Sequence, residues 1–280
     1  MTRKKAFTLV ELLVVIAIIA LLMSILMPAL ARVRQQAKTV VCLSNLRQLA
    51  NCFSVYANEN DGCYPPGWIR DGVMDPNPKY YWMEALRSCY MDSGDIRLCP
   101  SATKIGSEHG QGEYNNNGRT DMAWGRFSGS WGWVIEGDYG SYGWNSFICN
   151  TPDGINGKQT SGAWGMTPSI YNWRSADVSG AHNIPLIGDH KWLDCWPDQT
   201  DEPPAYDGDK ITSQMSRVCM NRHNGYVCWA FLDYSVRKVG LKELWTLKWS
   251  KQFETDGPWT IAGDVVPDDW PEWMKGFKDF

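Results

Sequence analysis

The sequence holds few of the constellations that carry catalysis. It has four histidines, and charged residues make up 21% of the chain. It contains no His-Glu-x-x-His and no Cys-x-x-Cys spacing, so neither common zinc framework is present. A Gly-x-Ser-x-Gly elbow and a phosphate-binding glycine loop are absent as well. No residue pair reads as nucleophile and base, and nothing marks two carboxylates as a glycosidase pair. These absences point away from an enzyme. Basic residues are in the minority, and the net charge of −4 offers nothing to nucleic acid. Also missing is a good small-residue cleavage site after the first apolar run. Met27-Pro28-Ala29-Leu30-Ala31 is a poor substrate for signal peptidase.

What is abundant points to an exported globular head. Hydrophobic residues make up 44% of the chain, enough for a sizeable core. The 16 Trp and 12 Tyr suit a packed interior or a sticky surface. Nine Cys are many for a cytosolic protein, and disulfides persist mainly outside the cytosol. Nine is odd, so at least one thiol is free or paired between chains.

Residues Arg3, Lys4 and Lys5 precede an apolar stretch over 7–27 that contains one charge, Glu11. As a helix rising ~1.5 Å per residue, it crosses a ~30 Å hydrocarbon layer. A plain signal anchor fits that hydropathy but leaves Glu11 unexplained. A carboxylate there costs about 3 kcal/mol and needs a partner. Apolar residues continue at spacings of three and four beyond Pro28: Leu30, Val33, Ala37 and Val41, then Cys42, Leu46, Leu49, Phe53 and Tyr56. The pattern predicts one helix over 7–58, about 78 Å long. Its second half packs the head along this stripe. Pro28 removes one backbone bond and is a place for a kink. Asn60, Asp61 and Gly62 supply the stop.

The string Lys4-Lys5-Ala6-Phe7-Thr8-Leu9-Val10-Glu11 resembles the type IV prepilin processing motif. The resemblance implies cleavage between Ala6 and Phe7 by a prepilin peptidase that also methylates Phe7. Residues 1–6 are then a leader, 7–28 a transmembrane assembly helix and 29–62 its amphipathic half. Residues 63–280 are a head. Glu11 becomes the fifth residue of the product, where the family pairs it with a neighbouring subunit's terminal amine. Pro28 falls where pilins and pseudopilins often carry proline. The family usually has Gly where this chain has Ala6. Cys42-Leu43-Ser44-Asn45-Leu46-Arg47-Gln48-Leu49, Leu98-Cys99-Pro100-Ser101 and Ser141-Tyr142-Gly143-Trp144-Asn145 resemble segments of large bacterial pseudopilin-like proteins. His223 and Asp233 bracket nine residues, as in the H-X9-DG element of that group, with Tyr234 in place of its Gly.

The fold implied is α+β and pilin-like, a long helix on a small antiparallel sheet with a large loop-rich insertion at about 106–180. The function implied is that of a structural subunit, a pseudopilin or minor pilin of a type II secretion-like or type IV pilus-like fibre. Its partners are the prepilin peptidase, other pilin subunits, an inner-membrane assembly platform and membrane lipid. The N-terminus stays cytoplasmic and the head lies outside, in the periplasm or on a surface fibre. The alternative is a displayed binding head that holds polysaccharide on Trp-rich loops.

Within the head, the pattern predicts a helix over 80–90 and strands near 131–135, 142–148, 184–189 and 235–239. Segments 215–220 and 226–232 flank a turn with Asn224-Gly225 at its end and read as a hairpin. Residues 241–249 return to helical spacing, and the polar, Trp-rich tail over 255–280 wraps the surface. A hairpin about residues 223 and 224 places Cys219 opposite Cys228, where a cross-strand disulfide is geometrically possible, though strained in many registers. Cys42 and Cys99 form a second candidate pair, pinning a loop to the helix. Cys52, Cys63, Cys89, Cys149 and Cys195 have no assignable partners, and buried free thiols remain the plainer reading. Asp189, His190, His223 and Asp233 are candidate ligands for a divalent ion, although a turn histidine is more often a hydrogen-bonding residue. Asp207-Gly208-Asp209 suits either a Ca²⁺ loop or a solvated acidic turn. No other cofactor is indicated.

Overall fold

In the computed structural model, the described residues are 9–67, 69–70, 73–74, 81–90, 94–105, 118–127, 134–151 and 169–280. Helix α1 (Leu9–Glu59) runs unbroken through Pro28 and extends about 76 Å. It ends as anticipated: Asp61 and Gly62 adopt positive φ, and Gly62 N donates to Ala57 O at 2.8 Å. Two short helices follow, α2 (Trp82–Ala85) and α3 (Arg87–Tyr90), in place of the single one expected.

Among the described residues, ten strands complete the head. In chain order they are β1 (Ile69–Arg70), β2 (Val73–Met74), β3 (Lys104–Ile105), β4 (Met122–Gly125), β5 (Tyr139–Gly140), β6 (Tyr142–Asn145), β7 (Pro185–Asp189), β8 (Asp194–Cys195), β9 (Tyr226–Phe231) and β10 (Val236–Gly240). The main sheet has the order β10-β9-β7-β6-β8. Every neighbouring pair is antiparallel except β6 with β8, which run parallel. The long helix on a mainly antiparallel sheet is the α+β, pilin-like architecture.

The sheet is buried on both faces because β9 alternates two apolar sets. Cys228, Ala230 and Leu232 face one core with Cys42, Leu46, Leu49 and Phe53 of α1. Val227, Trp229 and Phe231 face the other, with Leu244, Trp245, Trp249, Trp270 and Met274. Gly188 is required opposite Trp229, since a Cβ there would lie 2.2 Å from the indole.

Four expectations are corrected. Residues 215–220 do not form a strand: Met215–Arg217 is a 3-10 turn, and β9 pairs with β7 and β10 instead. Cys219 consequently lies in the core against the tail, beside Met274 Sδ, while Cys228 lies in the core against α1. The tail is a third layer as well as a wrap, since Trp270 and Met274 are buried. Finally, the apolar stripe on α1 packs the head only from Cys42 onward. Leu30, Val33 and Val41 stay 50%, 58% and 47% exposed, because the sheet does not reach that far down the helix.

Tyr234 closes the β9–β10 turn at φ +62°. It occupies the left-handed conformation that glycine adopts without strain. Its OH lies 3.4 Å from Tyr64 OH, and its carbonyl accepts from Arg47 Nη1 of α1 at 3.0 Å.

Candidate functional site

Two regions hold the candidate functional residues, the lower half of α1 and the junction where its upper half meets the sheet. From Leu9 to Met27 the helix exposes an almost continuous apolar surface. It is the one described helix long and apolar enough to cross a membrane, and no residue of its most apolar window is buried. Glu11 lies in its first turn. Ala6 and Phe7 lie outside the described residues.

The junction is polar and buried. Asp189, at the end of β7, accepts from Arg222 Nη1 at 3.0 Å through Oδ1. Its Oδ2 accepts from Cys228 N at 2.8 Å and faces His223 Nε2 at 3.2 Å. His223 in turn places Nδ1 3.1 Å from Thr39 Oγ1 and Nε2 3.3 Å from Cys99 Sγ. Tyr142 OH donates to Cys42 Sγ at 3.2 Å. Thus Cys42, Cys99, Tyr142 and His223, from four segments singled out in the sequence, converge on one place. Burial opposes the imidazolium, but the Asp189 carboxylate outweighs it and raises His223 to about 10. Burial likewise opposes the carboxylate, yet His223 and Arg222 hold Asp189 down to about 2. Burial raises the Cys42 and Cys99 thiols well above their ordinary range. All nine cysteines are free thiols, and Cys42 is brought beside Cys99 and Cys228.

Arg222 organises this junction, and nothing in the sequence singled it out. Its five N–H groups meet Asp189 Oδ1, Ser141 O, His190 O, Arg119 O and Thr120 O. The clue available was its place between two residues of a turn, which does not distinguish a solvated arginine from a buried one. The other proposed ligands lie elsewhere. His190 Nδ1 accepts from Trp192 N at 2.9 Å. Asp233 is exposed at the far end of β9 and accepts from Ser235 N at 2.9 Å. The nine-residue spacing spans a whole strand, so His223 and Asp233 stand at its opposite ends. Asp207 Oδ1 accepts from Thr120 Oγ1 and Asn221 N, and Asp209 Oδ1 from Lys210 N.

Trp124 and Trp144, in the Trp-rich stretch that the polysaccharide-binding alternative would use, are fully buried, and Trp173 Nε1 donates to Trp249 O at 3.0 Å. Trp131, Trp133 and Trp164 lie outside the described residues.

A helix half bare and half packed on a mainly antiparallel sheet is consistent with an α+β, pilin-like fold, and the length and composition of its bare half suit a membrane anchor. The prokaryotic N-terminal methylation motif matches this chain over residues 1–27. The match supports a type IV pilin-like or pseudopilin protein that is processed by a prepilin peptidase and held in a membrane by its N-terminal helix. No curated protein and no solved structure matches the chain.

Proposed function

We propose that the protein is a structural subunit, a pseudopilin or minor pilin, that polymerises through α1 into a type II secretion-like or type IV pilus-like fibre. The observation that carries this reading is the bare apolar half of α1, joined to a methylation motif and bearing Glu11 in its first turn. Leader removal deletes Arg3, Lys4 and Lys5 and creates a free amine near that carboxylate. Pairing the two across subunits would place a charge-compensated contact between neighbouring helices within the lipid, which favours assembly. Leu30, Val33 and Val41 extend the apolar surface past Pro28 and suit contact with neighbouring helices in the fibre. The head stands outside the cytoplasmic membrane, and its role is structural rather than enzymatic. The buried state of Trp124 and Trp144 does not favour a sugar-binding platform.

Mass spectrometry of the mature N-terminus tests the processing step. The expected species begins with N-methylated Phe7. An intact Met1 in cells with active prepilin peptidase would overturn the assignment.

A further inference from the structure

Four ligand-type side chains from four separate segments meet beneath α1. Cys42 comes from the helix, Asp189 from the end of β7, His223 from the turn before β9 and Cys228 from β9 itself. All are buried, and their sulfur, carboxylate oxygen and ring nitrogen atoms lie within 4.8 Å of one another. A tetrahedral centre with bonds of about 2.0 Å to N and O and about 2.3 Å to S separates N from O by about 3.3 Å and O from S by about 3.5 Å. The protein has 3.2 Å between His223 Nε2 and Asp189 Oδ2, and 3.9 Å between Asp189 Oδ2 and Cys42 Sγ. No separation among the four exceeds 4.8 Å, so a cation would draw these atoms together by at most about 1.3 Å.

His223 is oriented as a ligand. Thr39 Oγ1 donates its one proton to Gln35 O at 3.0 Å. It therefore meets His223 Nδ1 as an acceptor, which places a ring proton on Nδ1. Nε2 is left facing the carboxylate oxygen of Asp189. Two lone pairs at that distance repel, so a positive group belongs between them, either a second ring proton or a metal ion. Metal-binding histidines commonly fix their free nitrogen with such a second hydrogen bond.

We propose that Cys42, Asp189, His223 and Cys228 form a closed, four-ligand site for a divalent cation of the zinc class. Binding exchanges two thiol protons and the second imidazole proton for the ion. Two thiolates and one carboxylate then face the dication, and Arg222 on Asp189 Oδ1 supplies the remaining positive charge. Thiolate and imidazole ligands select against calcium and magnesium, which take oxygen ligands. Four protein ligands leave no open position, so the ion is structural. Because Cys42 belongs to α1 and the other three to the head, the ion staples the assembly helix to the sheet. The Tyr142 hydroxyl steadies the Cys42 thiolate. A groove lined by Gln35, Thr39, Asn221 and His223 supplies the entry path. Cys99 borders the site through its contact with His223 and is not one of the four ligands.

The test uses the full chain in detergent under reducing conditions. Zinc is expected to be retained at one ion per chain, and Co²⁺ exchanged for it should give thiolate-to-cobalt charge transfer with a tetrahedral d–d spectrum. Cys228→Ser should reduce that charge transfer by about half. Thr39→Val retains all four ligands and the side-chain shape but removes the acceptor for His223 Nδ1–H. It should weaken Zn²⁺ binding about 10- to 100-fold while the head stays folded. Cys89→Ser, at an exposed cysteine, should change neither reading. A folded, reduced chain that takes up neither Zn²⁺ nor Co²⁺ overturns the proposal. So does a bound Co²⁺ without thiolate charge transfer, unchanged affinity in Thr39→Val, or a Cys42–Cys228 disulfide in protein isolated without reductant.

Discussion

Replacing Arg222 by lysine keeps the positive charge but removes the fork that the junction is built around. The guanidinium directs five N–H groups to one carboxylate and four backbone carbonyls, and its side chain is buried. An ammonium has three N–H groups on one atom, so at least two of the five bonds are lost, although Ser141 O and Arg119 O keep a backbone N–H from His190 and Met122. A hydrogen bond to a charged group contributes about 1.5–3 kcal/mol, and a buried orphaned acceptor costs a similar amount. Arg222→Lys should therefore destabilise the head by about 3–6 kcal/mol, a large part of the ~5–15 kcal/mol that holds a typical domain together. At ~2–4 °C per kcal/mol for a head of this size, the midpoint falls by at least about 6 °C. Near-UV circular dichroism during thermal unfolding of the full chain reads this directly. Every Trp lies beyond residue 67, so the membrane half of α1 contributes no indole signal. A midpoint within about 2 °C of the parent protein would refute the claim that all five donors are used.

Two other substitutions probe the helix and the turn. At the β9–β10 turn, Tyr234→Gly and Tyr234→Ala lose the same ring, but only glycine is relaxed at φ +62°; the glycine variant should be more stable by about 1 kcal/mol in denaturant titration, and equal stabilities would remove the strain. Glu11→Ala should insert into the membrane normally yet enter fibres on the order of tenfold less well. Cross-linking of assembled fibres measures this, and normal incorporation of the variant would remove the proposed pairing.

Much of the architecture was legible in local pattern. A long apolar run and a spacing of three and four define a helix regardless of what packs on it, and Asp61-Gly62 ends it where glycine and aspartate tolerate positive φ. The strand at 226–232 was legible for the same reason, since an apolar run bounded by turn residues is a local property of the chain. Its partner was not. A turn at Asn224-Gly225 suggested a hairpin with 215–220, but pairing is settled by which strand completes both cores, and β7 and β10 do so. The same limit applies to the apolar stripe, whose pattern does not say how far down α1 the head extends.

By itself the sequence determined the membrane helix, the processing motif and the placement of Glu11 and Pro28, because each depends on neighbours within a turn or two. Only the tertiary structure decided which buried polar groups meet. The sequence offers Asp189, His190, His223 and Asp233 alike as ligands, because nearness and spacing do not separate them. Strand geometry sends Asp233 to the far end of β9, and His190 holds the Trp192 amide instead. The places left beside Asp189 and His223 are taken by Cys42 and Cys228, whose separation along the chain hides their contact. Packing of α1 on the sheet brings them together and buries them with Arg222.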